Sequence, residues 1–289
     1  MILDKMSELQ QRLILSGIGV LGLLIMIACS HIEMFKPIFA LFAAGVISLA
    51  LYEYYTIAKA NGCHPLVKIG IIGSVAYVLA SFARTQWLGA ELLPLIVLWL
   101  IFISAFTYYF IKGTDPFINL AITLFGIIYL TIPLSCLIDI NYFSSSVVVD
   151  GRWGLIYLLF VTKMTDTAAF FVGKLWGKRQ LSPYISPKKT WEGAAGGLVG
   201  AIITSILFYV IFHLFFATAP LALSLLQSLW LGALISVTAQ FGDLAESLLK
   251  RDVGVKDSSH LPGLGGVLDI VDSLIFTSPL MYLFLKMQS

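Results

Sequence analysis

Long apolar runs, separated by short polar connections, dominate the chain. Nine runs fall at about 13–30, 37–57, 66–84, 91–111, 117–137, 153–173, 192–215, 222–248 and 265–286. A helix crosses the hydrocarbon core of a bilayer with roughly 20 apolar residues, so each run predicts one transmembrane helix. There is no strand-like alternation and no low-complexity segment, and no connection is long enough to hold a soluble domain. The pattern therefore predicts an all-α, polytopic integral membrane protein of about nine transmembrane helices. The eighth run is expected to leave the membrane near Gln240 and continue as a polar helix carrying Asp243 and Glu246.

Composition agrees. Hydrophobic residues make up 59% of the chain and charged ones 12%, against about 25% charged in soluble domains; the mean hydropathy is +0.93. A net charge of +2 is too small to suggest a nucleic-acid partner. Cys29, Cys63 and Cys136 are odd in number and scattered, without metal-ligand spacing, and read as small buried hydrophobes. Ile27-Ala28-Cys29 loosely matches a lipoprotein cleavage site, but Met26 and the runs that follow favour an ordinary first transmembrane helix.

Orientation follows from the distribution of Lys and Arg. Nine spans put Lys5, Arg12, Lys59, Lys68, Lys112, Lys174, Lys178, Arg179, Lys188, Lys189, Lys250, Arg251 and Lys256 on the side of the N-terminus. Lys36, Arg84, Arg152 and Lys286 lie on the other side, and Lys163 lies within a span. Thirteen cations against four place the N-terminus in the cytoplasm, together with two polar loops at 174–191 and 241–264.

Chemistry is unevenly spread. Residues 1–140 read as structural, lipid-facing helices and residues 141–289 as a catalytic region. In the first part Glu53, beside Tyr52, Tyr54 and Tyr55, reads as an interfacial residue near the inner end of span two. Span six carries Lys163 and Asp166 three residues apart among threonines, and an ionisable group inside a membrane helix is a functional candidate by default. The loop after it combines five cations with Ser182, Ser186 and Thr190. Thr190 or Trp191 is placed to cap the next helix, with Glu192 in its first turn. Cations and hydroxyls beside a helix N-terminus suit a phosphate. Gly193, Gly196, Gly197 and Gly200 then form a close helix-packing face.

The densest polar stretch is Gln240 to Ser273, with six carboxylates, two lysines, an arginine and five glycines. Asp243, Glu246 and Ser247 fall on one helical face, and Asp269 and Asp272 repeat the three-residue step after a glycine-rich turn, Pro262 to Gly266. Carboxylates for a divalent metal, cations for phosphate and glycines for close backbone approach are what phosphoryl or nucleotidyl transfer needs.

Together these residues resemble the phosphatidate cytidylyltransferase, or CDP-diacylglycerol synthase, family. The resemblance rests on Asp166-Thr167, Gly173-Lys174, Gly177-Lys178, Leu181-Ser182-Pro183 and the run Ser186 to Gly193. It rests most on Gly242-Asp243-Leu244, Glu246-Ser247, Lys250-Arg251, Lys256-Asp257, Pro262-Gly263, Gly265-Gly266 and Asp269 with Asp272. It covers roughly residues 160–280, and in the first half only the spans and Glu53-Tyr54-Tyr55 agree. Two positions depart from the family pattern: Leu264 stands where it has His, and Ile270 where it has Arg, so neighbours such as His260 or Arg251 are the candidates to replace those groups.

The resemblance implies that CMP passes from CTP to phosphatidate, giving CDP-diacylglycerol and pyrophosphate in phospholipid synthesis. It also implies Mg²⁺, with a second cation such as K⁺ allowed for, membrane lipids as surroundings, a homodimer, and a bacterial-type cytoplasmic (inner) membrane with the active site facing the cytoplasm. Asp243 and Asp269 become the expected main metal ligands, joined by Asp272, with Asp166 near the substrates. Lys250, Arg251 and Lys256 would contact the triphosphate or the lipid phosphate, and Asp257 would orient a lysine or cap a turn. Ser186, Lys188, Lys189, Thr190 and Ser247 would bind substrate, while Gly263, Gly265 and Gly266 would let backbone N–H groups approach a phosphate. Two rivals share some of these features. A CTP-dependent polyprenol or phytol kinase would instead move the γ-phosphoryl group to an alcohol. An ion-coupled transporter predicts polar residues in many spans and inverted repeats, which the sequence lacks.

Overall fold

The computed structural model describes residues 8–113, 115–145, 150–216, 218–221, 223–254 and 266–288, with side chains from Gly17 onward apart from Ile18. Helices account for nearly all of it: α1 Glu8–Cys29, α2 Lys36–Ala60, α3 Val67–Gln86, α4 Leu93–Lys112, α5 Pro116–Gly126, α6 Ile132–Asn141, α7 Gly151–Trp176, α8 Trp191–Phe215, α9 Leu225–Asp252 and α10 Val267–Gln288. A π-helical turn, Ile127–Thr131, joins α5 to α6 into one rod from Pro116 to Asn141. Pro133 explains that turn: it offers no N–H to the carbonyl four residues back and its ring crowds it, so the helix widens there.

Eight rods are long and apolar enough to cross a membrane, and α1, with its apolar stretch Gly19–Cys29, is the ninth candidate. The nine predicted runs are thus found within a few residues of their expected bounds. The membrane reading is also visible in the exposed side chains. Leu95, Trp99, Phe106 and Phe110 on α4 are exposed on the outer surface, which suits hydrocarbon surroundings. The core gathers Leu51 and Tyr55 of α2, Leu134 and Ile138 of α6, Leu158 of α7, Ile235 of α9 and Ile275 of α10. Cys29, Cys63 and Cys136 are free and half-buried rather than fully buried.

One element lies outside the expectation. A short antiparallel hairpin, β1 Gln180–Ser182 and β2 Ser186–Thr190, occupies the loop between α7 and α8. Four cations and two prolines in so short a segment hide any apolar alternation, so pattern alone does not reveal it.

The helices around the polar residues pack closely because glycine lets them. A Cβ at Gly193 would meet the Ala169 carbonyl at 2.8 Å, one at Gly196 would meet Val172 at 2.5 Å and one at Gly200 would meet Ala168 at 2.5 Å. These contacts fix α8 against α7, as the glycine spacing predicted.

Candidate active site

The hairpin is set by the N-terminus of α8. Thr190 is the cap, its Oγ1 accepting the Gly193 N–H at 3.0 Å, while Trp191 is already helical. Glu192 folds back so that Oε2 accepts the N–H groups of Lys178 and Arg179 at 3.1 and 3.2 Å. Successive residues of a strand point to opposite faces, and this separates the two lysines of β2. Lys189 reaches Asp243 Oδ2 at 2.7 Å. Lys188 is exposed on the other face, and neither it nor Ser186 lines the cavity described next.

On α9, Asp243, Glu246, Ser247, Lys250 and Arg251 form a single stripe at spacings of three and four. They face Asp269 and Asp272, one turn apart on α10, and Asp166 of α7. These eight residues line a cavity of about 360 Å³. Close approach of α9 and α10 depends on Gly242, where a Cβ would lie 2.5 Å from the Asp272 carbonyl oxygen.

Ion pairs hold the cavity wall together. Lys250 Nζ binds Glu246 Oε1 at 2.5 Å and also binds Asp269 Oδ1, bridging α9 to α10. Glu246, on the polar helical face predicted with Asp243 and Ser247, is buried. Arg251 Nε donates to the Ile185 carbonyl at 3.1 Å and ties the hairpin to α9. Asp272 is buried, and its Oδ1 accepts the Ser273 N–H at 2.5 Å. Asp166 Oδ2 lies 3.5 Å from both Ser273 Oγ and Lys163 Nζ.

Glu53 corrects the sequence reading most directly. It is buried, not interfacial, and its carboxylate sits on the N-terminus of α10. Oε1 accepts the Val267 N–H at 3.0 Å and Oε2 the Leu268 N–H at 2.7 Å. The first N–H groups of a helix have no partner within it and carry partial positive charge, so a carboxylate there satisfies both needs. Asp269 follows immediately. A lone glutamate beside three tyrosines gives no sign of a partner more than two hundred residues away; only its position inside an apolar run hinted at one.

Of the predicted residues, Asp166, Asp243, Ser247, Lys250, Arg251, Asp269 and Asp272 are brought together in one wall, with Lys189 at its edge. Gly266 is buried and directly precedes α10. Lys256, Asp257, Gly263 and Gly265 lie outside the described residues, as do His260 and Leu264.

The donor set is all oxygen, which fits a hard cation such as Mg²⁺ rather than a soft one. Five carboxylates face two cations in the cavity wall, so the wall as a whole attracts positive charge. As placed, no three such side chains among the described residues converge on one point, and Lys189 and Lys250 hold Asp243 and Asp269.

The sequence matches the Cytidylyltransferase family over residues 10–288. It is 31% identical to the phosphatidate cytidylyltransferase of Chlamydia pneumoniae, over 96% of this chain and 92% of that protein. To the phosphatidate cytidylyltransferase of Bacillus subtilis it is 30% identical, over 98% of this chain and all of the relative. The chloroplastic phosphatidate cytidylyltransferase 4 of Arabidopsis thaliana is 32% identical, over 98% of this chain and 74% of that one. The chain belongs to the cytidylyltransferase family. It is a membrane-embedded nucleotidyltransferase, and the polar wall across α7, α9 and α10 is its candidate active site.

Proposed function

We propose that this cavity transfers CMP from CTP to phosphatidate, releasing CDP-diacylglycerol and pyrophosphate. The observation that carries the assignment to this site is the convergence of Asp166, Asp243, Asp269 and Asp272 with Lys250 and Arg251 on one cavity of a family member. The phosphatidate cytidylyltransferases it matches in bacteria and plants support the choice of substrates.

A phosphatidate oxygen bonds to the α-phosphorus of CTP as the bond from that phosphorus to pyrophosphate breaks. The nucleophile is already an anion, so no strong general base is needed. The barrier is electrostatic: two anionic reactants meet, and negative charge collects on the leaving group. A carboxylate-rich wall would repel a triphosphate by itself, which argues that a cation enters with the nucleotide. Asp243, Asp269 and Asp272 are the residues that would hold Mg²⁺, with K⁺ as a candidate second ion. Bound magnesium supplies charge neutralisation for the phosphates and the leaving pyrophosphate. Lys250 and Arg251 take phosphate oxygens from α9, and Lys189 does so from the hairpin. Ser247 adds a hydroxyl, and Thr190 keeps the hairpin fixed to α8.

The excess of Lys and Arg on the N-terminal side supports a cytoplasmic membrane location with the site open to the cytoplasm, where CTP is found. A homodimer is the expected assembly.

The test uses purified protein in mixed micelles with Mg²⁺ and CTP labelled separately at the cytidine and at the γ-phosphate. Cytidine label should enter lipid only when phosphatidate is present, matched by labelled pyrophosphate. Transfer of γ-label to a prenyl alcohol, with none of the cytidine, would replace this reading with that of a kinase.

A further inference from the structure

Ile270 follows Asp269 directly on α10 and carries no charge. The structure brings a cation to its backbone. Lys163 Nζ, from the middle of α7, donates to the Ile270 carbonyl at 3.0 Å. It stands 3.5 Å from Asp166 Oδ2, whose residue lines the cavity.

This ammonium is incompletely answered. An ionised group inside a membrane span is costly unless an anion or a polar cavity receives it. Asp166 is distant for a charge-assisted contact and also faces Ser273 Oγ; the Ile270 carbonyl is neutral. Lysine has three donors, and its side chain here remains 47% exposed. Its surroundings are two-sided. On one side lies the polar cavity. On the other, Phe160 and Met164 of α7 and Ile270 of α10 present exposed apolar surface. A ligand matching both sides has an anionic head and an apolar tail. CTP has no such tail, and the other cations of the site are already held, Lys189 by Asp243, Lys250 by Glu246 and Asp269, and Arg251 by the hairpin carbonyl of Ile185.

We infer that Lys163 binds the phosphate of the lipid substrate, supplying positive charge from α7 where it meets α10. Arg251 also lines the cavity, but its Nε is held by the hairpin carbonyl of Ile185 and it stands on α9, not on α7. The inference rests on the cytidylyl-transfer reading for the identity of the lipid.

The experiment compares wild type, K163M, K163Q, K163R and K163M/I270R, purified in detergent and checked for monodispersity. One arm measures KM for phosphatidate and for CTP. The other measures binding of a short-chain phosphatidate, and of the diacylglycerol lacking its phosphate, without CTP. Loss of a charge-assisted contact should raise the phosphatidate KM and Kd by about tenfold or more in both neutral variants. The CTP KM should stay within about twofold, diacylglycerol binding should not change, and K163R should stay near wild type. K163M/I270R should regain most of the loss, which a merely structural lysine would not allow. Unchanged phosphatidate binding in K163M and K163Q, a loss confined to CTP, or a double variant as poor as K163M would each overturn the inference. If the wild type formed no CDP-lipid, the reaction reading would fail, and the binding arm would still judge Lys163.

Discussion

Glu53 Oε2 accepts the N–H of Leu268 at 2.7 Å across 215 positions of sequence. With the companion bond to Val267, this makes α2 the anchor of the helix that presents Asp269 and Asp272. Substitution Glu53→Ala removes both acceptors and should lower stability by about 1–2 kcal/mol, the range for a lost cap with favourable dipole geometry. It should also lower kcat by about tenfold or more, with both KM values little changed, because the carboxylates of α10 lose their register. Glu53→Gln keeps one acceptor oxygen and should fall between. Steady-state kinetics with thermal unfolding in detergent checks this, and a wild-type kcat in the alanine variant would contradict it.

Lysines 189 and 250 both pair with site carboxylates, but in different surroundings. The Lys250–Glu246 pair is only 7% and 4% exposed, whereas the Lys189–Asp243 pair is 26% and 37% exposed. Removing one member of a buried pair strands a charge and typically costs about 3–5 kcal/mol, while exposed pairs contribute about 0–1. Lys250→Met should therefore destabilise the protein strongly, and adding Glu246→Gln should recover part of the loss. Lys189→Met should leave stability nearly intact and reduce turnover. Equal unfolding temperatures for the two single variants would argue against the pairing described.

Gly242→Ala should push α9 from α10, since the added carbon would lie 2.5 Å from the Asp272 carbonyl oxygen, a backbone atom that cannot swing aside. A loss of both activity and stability is expected. Gly45→Ala, where a Cβ meets nothing within 4 Å, is the control and should be neutral. Matching behaviour of the two variants would mean the helices are not in contact as placed.

The carboxylate excess of the cavity wall predicts a ligand effect separate from turnover. Saturating Mg²⁺ should raise the unfolding temperature of the wild type, since a ligand that binds only the folded state stabilises it. Chelation should reverse the rise, and Asp269→Asn should diminish it. No thermal response to Mg²⁺ in the wild type would contradict the metal assignment.

Much of this architecture was legible in the sequence because it depends on local signals. Span length, the glycine steps of α8 and the i, i+3, i+4 stripe of α9 all follow from residue types a few positions apart. A helix cap at Thr190 or Trp191 was likewise legible from its neighbours, and the structure selects Thr190. What the sequence did not yield depends on distant partners. Glu53 looks interfacial until α10 is set on top of it, and Lys163 stands out as a functional candidate with no sign of its place beside Ile270. Lys188 and Lys189 appear equivalent as text; the strand's alternation separates them, and the hairpin was hidden by its polar composition.

The central claim is that the carboxylates facing each other across α9 and α10 carry the transfer. Asp269→Asn replaces one carboxylate oxygen by an NH2 group, removing the charge while keeping the size of the side chain. Phosphatidate-dependent conversion of CTP by this variant, in a monodisperse preparation that unfolds cooperatively, is the most direct measurement. Turnover should fall by at least about a hundredfold, as expected for loss of a group that stabilises developing charge. Near-normal turnover in that folded variant would contradict the account.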